Sequence, residues 1–242
     1  MKQLFISAVM AILMAGYALA SDRDLKNIKT DTSEYDFGLV METDGPVAGE
    51  FKLINKGRKK FEIDRVKPSC GCSSVDFTHG KISKGDTATI KVTFDPSERP
   101  GKFNKGIYVF FSGEEKPIIL RIKGTVMASG ETLKLFFPLD AGELHFDTST
   151  VDFGEMKRGL NRKEAVDIYN SSLKPISPVF SSDSNAFRFE MSQETIMPGE
   201  QATLTIYLTS SQLMWLGEKS LTIKGRWDGN QMELPVKVKL VP

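Results

Sequence analysis

Between residues 34 and 126, apolar side chains recur at alternate positions in short runs, and turn residues separate the runs. Thr87–Asp95 shows it best. Ala88, Ile90, Val92 and Phe94 fall on one side, and Thr87, Thr89, Lys91 and Thr93 on the other. Successive side chains of an extended chain point to opposite faces, so a period of two marks a strand with one buried face. Phe51 and Leu53 keep that period up to the Asn55-Lys56-Gly57 turn; Phe61 and Ile63 follow, then Val75 and Phe77. Ile107–Phe111 is apolar on both faces and belongs in the middle of a sheet, and Ile118, Leu120 and Ile122 form the last run, opened by Pro117. Helical periodicity is nearly absent.

The pattern then repeats. Asp36-Phe37-Gly38 returns as Asp152-Phe153-Gly154, and Phe51, Leu53 and Asn55 return as Val166, Ile168 and Asn170. Lys84-Gly85-Asp86 becomes Pro198-Gly199-Glu200, and Ala88/Ile90/Val92/Phe94 becomes Ala202/Leu204/Ile206/Leu208. Ile118/Leu120/Ile122 matches Met232/Leu234/Val236, with Val238 and Leu240 extending the second copy. Agreement at one offset across separate runs points to a duplicated unit. About seven short strands with turn signals between them, counted from Tyr35–Val40, make the pattern of an immunoglobulin-like sandwich. The expected fold is therefore all-β, two tandem immunoglobulin-like sandwiches over residues 21–128 and 129–242. Leu133–Leu139, between the copies, reads as an extra edge strand of the second.

Residues 1–20 stand apart. Lys2, the apolar run Leu4–Ala15 and the small residues of Ala18-Leu19-Ala20 make a secretory signal peptide, with Ser21 as the mature start. No later stretch has the roughly 20 apolar residues of a membrane-spanning helix. The expected product is exported, to a periplasm or beyond, and is not an integral membrane protein. The 32 Lys and Arg against 31 Asp and Glu give no basic stripe for nucleic acid. The local cluster Lys56–Lys60 falls between two strand runs and reads as a solvated turn.

Asp36-Phe37-Gly38, Asn55-Lys56-Gly57, Ser69-Cys70-Gly71-Cys72, Lys84-Gly85-Asp86, Phe94-Asp95-Pro96 and Pro100-Gly101-Lys102-Phe103 follow one another in that order. In this series residues 34–126 resemble a secreted bacterial Ig-like family catalogued as a domain of unknown function. They are similar, more distantly, to the Hydin-type and major-sperm-protein-type sandwiches. The resemblance implies the fold and export, and no activity. The second copy matches in outline only and lacks the cysteine pair, with Ser182-Asp183-Ser184 near the equivalent place.

Cys70 and Cys72 are the only cysteines of the chain, and Gly71 stands between them. In a fully extended chain their Cα atoms would lie roughly 6.5 Å apart, near the upper limit for a disulfide. Glycine's conformational freedom offers a way to kink the chain and join the sulfurs, and an exported compartment favours oxidation. Three readings stay open: a small structural disulfide or packed thiols, a redox or partner-bonding pair, and a soft-metal site for Cu(I) or Zn(II). Two thiolates are half a tetrahedral zinc site, and His79 is the one further donor nearby in sequence. His145 lies in the stretch between the copies and is not paired with the cysteines. No cofactor is implied.

Catalytic signatures are missing: there is no Gly-x-Ser-x-Gly elbow, no His-Glu-x-x-His and no phosphate loop. Asp183-Ser184-Asn185 has the composition of a calcium-loop fragment and equally of a polar turn. Candidate contact residues are Lys67, Ser69 and Gly71 around the cysteines, with Trp215 and Trp227 flanking the penultimate strand of the second copy. The leading expectation is a non-enzymatic exported protein that binds or scaffolds another exported or envelope protein. The alternatives are thiol–disulfide or soft-metal handling at Cys70/Cys72, and a pilus-type periplasmic chaperone. The chaperone would lend Ile118/Leu120/Ile122 to a client by strand addition.

Overall fold

The computed structural model describes residues 25–242, so the signal-peptide expectation for residues 1–20 lies outside the described residues. The strands of the first copy are, in chain order, β1 (Ile28–Thr30), β2 (Glu34–Met41), β3 (Val47–Asn55), β4 (Phe61–Pro68), β5 (Ser73–Phe77), β6 (Lys81–Ile82), β7 (Thr87–Phe94), β8 (Gly101–Phe111) and β9 (Ile118–Met127). They form a four-stranded sheet ordered β1-β3-β7-β5 and a five-stranded sheet ordered β2-β9-β8-β4-β6. The alternating residues named above fill the space between them: Phe51, Leu53, Ala88, Ile90, Val92, Leu120 and Ile122 are fully buried.

The second copy repeats the plan with β10 (Leu139–Asp140), β11 (Leu144–Phe146), β12 (Val151–Lys157), β13 (Asn161–Asn170), β14 (Val179–Ser182), β15 (Phe187–Met191), β16 (Gln201–Thr209), β17 (Gly217–Trp227) and β18 (Asn230–Val241). Its sheets are ordered β10-β11-β13-β16-β15 and β12-β18-β17-β14. Leu204, Ile206, Leu208, Leu234, Val236, Ile168 and Trp227 belong to one core cluster. By compactness the described residues divide into two units: 25–37 with Pro46–Asp95 and Asn104–Lys123, and Gly38–Gly45 with Pro96–Phe103 and Gly124–Pro242.

Two expectations are corrected. Gly130–Phe136 is not a strand but a helix, α1. Ser129 caps it, accepting the Thr132 N–H at 3.2 Å, and within the same unit the Glu42 carboxylate accepts the Ser129 N–H at 2.6 Å and the Thr132 hydroxyl at 2.7 Å. A hydroxyl at N-cap and an anion beside the first turn satisfy the free amides that a helix start exposes. Only Leu139–Asp140, after α1, joins a sheet edge. The strand-lending chaperone also fails: β9 lies between β2 and β8, paired on both sides, so it has no free edge to offer.

One buried asparagine in each copy holds the turn that follows β3 or β13. Asn55 is 2 % exposed and Asn170 fully buried. Asn55 Nδ2 donates to the carbonyls of Lys59 (2.8 Å) and Ile82 (2.9 Å), while its Oδ1 accepts the Gly57 N–H at 2.9 Å. Asn170 Nδ2 donates to Lys174 and Ile196, both at 2.8 Å, and its Oδ1 accepts the Ser172 N–H at 2.9 Å. Both side-chain donors and the acceptor are therefore used. The same residues' carbonyls accept from Gly85 (2.7 Å) and Gly199 (2.9 Å), so three separate segments meet at each asparagine.

The Asp-Phe-Gly repeat has its own cause. Gly38 and Gly154 take φ of 68° and 62°, the left-handed region that glycine enters without penalty. In the second copy the register of β12 against β18 slips between Asp152 and Glu155, and Asp152 Oδ1 accepts the Gly154 N–H at 2.8 Å. The motif is a β-bulge at a sheet edge.

Asn170→Ala removes the side-chain donor to the Lys174 and Ile196 carbonyls, leaving them only the Ser172 hydroxyl and the Ile176 N–H, and should destabilise the second copy by about 1–3 kcal/mol. Asn170→Asp, which turns an acceptor toward those same carbonyls, should cost more than alanine. Both tryptophans lie in the second copy, so urea unfolding followed by their fluorescence measures this. Equal stability of Asn170→Ala and the parent would refute the clamp.

Candidate functional site

The cysteines lie where the first copy's chain steps from one sheet to the other. β4 belongs to the five-stranded sheet and β5 to the four-stranded one, and residues 69–72 make the step. On the β4 side, Ser69 N–H donates to the Gly106 carbonyl at 2.8 Å and Ser69 Oγ accepts the Gly106 N–H at 3.1 Å. On the β5 side, the Cys72 carbonyl accepts the Asp95 N–H at 2.9 Å. Both feet of the turn are thus tied to strands next to their own.

Between the feet, the Cys70 and Cys72 sulfurs are bonded, with Cα atoms 5.3 Å apart. Cys72 is buried and Cys70 half-buried, whereas Lys67, Ser69 and Gly71 are exposed. The buried Ser73 hydroxyl lies 3.8 Å from Cys70 Sγ. Gly71 does not serve as expected. Its φ is outside the left-handed region, and a Cβ built there would meet nothing within 4 Å. The ring closes without glycine's special freedom, and the tip presents bare backbone to solvent.

The second copy makes the same step without sulfur. β14 and β15 belong to different sheets, and residues 183–186 join them. Ser182 Oγ donates to the Thr222 carbonyl at 2.9 Å and accepts the Ser184 N–H at 3.3 Å, and Ser184 Oγ accepts the Ala186 N–H at 3.3 Å. Asp183 pairs with Lys224 Nζ at 2.8 Å, so the carboxylate of the calcium-like fragment is matched by a lysine.

The remaining candidates are scattered. His79 is exposed and its ring packs 4.5 Å from that of Phe77. Among the described residues no group of three or more His, Cys, Asp or Glu side chains is placed to hold a metal ion. With their sulfurs joined, Cys70 and Cys72 present no thiolate ligand. His145 is buried in the second copy, its Nε2 3.0 Å from Ser171 Oγ and its Nδ1 3.8 Å from Asp140. Burial lowers its pKa below the usual histidine value, although the Asp140 carboxylate pulls the other way. Trp227 is 3 % exposed and packs in the core near Phe146, so it is no surface anchor. Trp215 is half-buried against that core, with Lys219 Nζ 4.8 Å from its ring centroid.

Sheet order and the crossing turns define two Ig-like sandwiches. Residues 28–126 match the family described as protein of unknown function (DUF1573), and residues 142–239 match the HYDIN/CFA65/VesB-like Ig-like domain. No curated protein matches the chain. Among solved structures, a protein of unknown function from Porphyromonas gingivalis W83 aligns at 14 % identity and TM-score 0.38, over 88 % of this chain and all of that one. The secreted serine protease VesC from Vibrio cholerae aligns at 9 % and 0.40, over 78 % of this chain and 48 % of that one. The titin fragment A168–A169 aligns at 8 % and 0.40, over 86 % and 96 %.

Two measurements test these assignments. A disulfide closing so short a loop restricts little unfolded-chain entropy, so Cys70→Ser/Cys72→Ser should cost only about 1–2 kcal/mol; loss of the folded state would show the bond to be a structural requirement. For His145, the folded pKa lies below the unfolded value of about 6.5. Stability is then greatest above that value and falls as pH drops through it toward the folded pKa. Urea midpoints taken between pH 7.5 and 5.5 should show this decline, and His145→Gln should flatten it.

Proposed function

We propose that the chain is an exported, non-enzymatic binding module, organised as domains over residues 21–128 and 129–242, that holds another envelope protein at the turn Lys67–Ser73. The observation that supports this most is Gly71. Nothing inside the protein requires glycine there, neither φ nor packing. A bare backbone at an exposed tip is what close approach by a partner requires. The sulfur bond fixes that tip in advance, which lowers the ordering cost of binding. Exposed Lys67 and Ser69 flank it on one side, and buried Cys72 anchors it on the other.

The comparison between copies supports the same reading. The second copy crosses between its sheets with serine hydroxyls and the Asp183–Lys224 pair, so the fold does not demand a disulfide at this step.

The test uses a photo-crosslinking residue placed at Ser69, with exposed Glu115 as the control site, in cells that export the chain. One discrete protein adduct at Ser69 and none at Glu115 is expected. Gly71→Leu should abolish the adduct while unfolding at the parent's denaturant midpoint. Equal adducts at both sites, or an adduct indifferent to Gly71→Leu, would overturn the proposal. A trapped mixed disulfide at Cys70 would replace it with thiol exchange.

A further inference from the structure

One end of the second copy carries apolar and basic side chains that its own fold does not use. The turn after β12, residues 158–160, and the connection from β16 to β17, residues 210–216, lie together there. Ser210, fully buried, fastens them: its Oγ is 2.7 Å from the Leu160 carbonyl and 3.1 Å from that of Lys157, and its N–H donates to Leu160 at 3.0 Å. Arg158 Nη2 donates to the Leu213 carbonyl at 3.2 Å, and Leu213 is itself fully buried. The two connections therefore form one fixed platform.

Beyond these anchors apolar side chains project into solvent. Met214 is 86 % exposed, Leu216 55 % and Leu160 49 %, with half-buried Trp215 among them. Exposed cations lie on these two connections and on the strands that enter and leave them: Lys157, Arg158, Arg162 and Lys219. Lys157 and Lys219 have no carboxylate partner among the described residues. Of the nearby acids, Glu155 is held by Lys239 at 2.9 Å, and Glu218 stands opposite Lys239 in the β17–β18 register.

The first copy shows that the architecture does not need this. At the same repeat offset its turn reads Glu42-Thr43-Asp44-Gly45, and its second connection reads Pro96-Ser97-Glu98-Arg99-Pro100. Within these two loops the first copy has acidic and polar residues, two prolines and one arginine, and no counterpart of Leu160, Met214, Trp215 or Leu216.

From this juxtaposition we infer that this end of the second copy docks on an anionic phospholipid surface. Met214, Leu216 and Leu160 enter the headgroup boundary, Trp215 sits at the interface, and Lys157 and Lys219 meet lipid phosphates. Apolar side chains ringed by long cations suit that boundary, because each apolar tip leaves water while each ammonium stays at the charged layer. Tryptophan is favoured at the same depth. Lysines without a carboxylate partner beside the apolar tips complement an anionic bilayer, where each cation adds attraction to the surface as the tips enter it. The inference stands independently of the disulfide turn.

The experiment incubates the exported chain with phosphatidylglycerol/phosphatidylethanolamine vesicles and, separately, with phosphatidylcholine vesicles. Co-sedimentation reports binding, and a blue shift of tryptophan emission reports Trp215, since Trp227 is already buried. Binding and shift are expected with the anionic vesicles, weakening as salt rises. Met214→Ser/Leu216→Ser should lower partitioning at least about ten-fold. Lys157→Glu should lower it roughly five-fold, on anionic vesicles only. These side chains are exposed, and each variant should keep the parent's unfolding midpoint. Absence of binding to either vesicle, or binding unaffected by the apolar and charge changes, would overturn the inference. So would a soluble protein captured through Met214 and Leu216 by a chain that ignores vesicles.

Discussion

Each sandwich depends on one amide side chain. Asn55 and Asn170 each join three stretches distant in sequence: the turn just after them, a strand segment some 26 residues on (Ile82 or Ile196), and the tight turn that starts the next long strand. Buried carbonyls at a sheet end cannot reach water, and leaving one unpaired costs more than an average hydrogen bond contributes. A single asparagine satisfies two of them and returns one acceptor to its own turn. Leucine would fill the space and take one donor from each carbonyl, and aspartate would face them with an acceptor. The neighbours can therefore vary from Lys-Gly-Arg-Lys-Lys in one copy to Ser-Ser-Leu-Lys in the other without changing the turn.

That tolerance explains how two copies with one architecture carry different surfaces. The step between sheets is made in the first copy by a sulfur bond and in the second by Ser182 and Ser184. The loops at the other connections are polar in the first copy and carry apolar tips with lysines in the second. Apart from Cys72, Leu213 and Trp215, these positions lie outside the core. Cores and clamps set the frame, and crossings and loops are left free for contact.

The frame was legible in the sequence because its signals are periodic and repeated. Ala88/Ile90/Val92/Phe94 and Ala202/Leu204/Ile206/Leu208 are buried as their alternation indicates, and Ile107–Phe111 lies in a central strand. What escaped it depends on contacts distant along the chain. Gly130–Phe136 is too short to show a helical period, and one of its caps comes from Glu42, far upstream. The part played by Asn55 was hidden because a turn asparagine ordinarily serves its own turn, and nothing in the sequence shows that Ile82 will lie above it. Trp227, placed among contact candidates for its size, is enclosed by strands whose order no local pattern reveals.

Gly71 is the case in which structure and sequence together say more than either alone. From the sequence, a glycine between two cysteines explains itself as the hinge that lets a tight ring close. The geometry removes that explanation, since the ring forms at an ordinary φ with free space where a Cβ would stand. An internal cause at this position would show itself as a positive φ, as at Gly38 and Gly154, or as a close neighbour, as at Gly49, where an added Cβ would lie 2.8 Å from the Tyr35 ring. Gly71 shows neither sign, and it sits at the outermost point of a turn fixed by both feet. A residue whose smallness serves nothing inside the protein is best accounted for by something that approaches from outside.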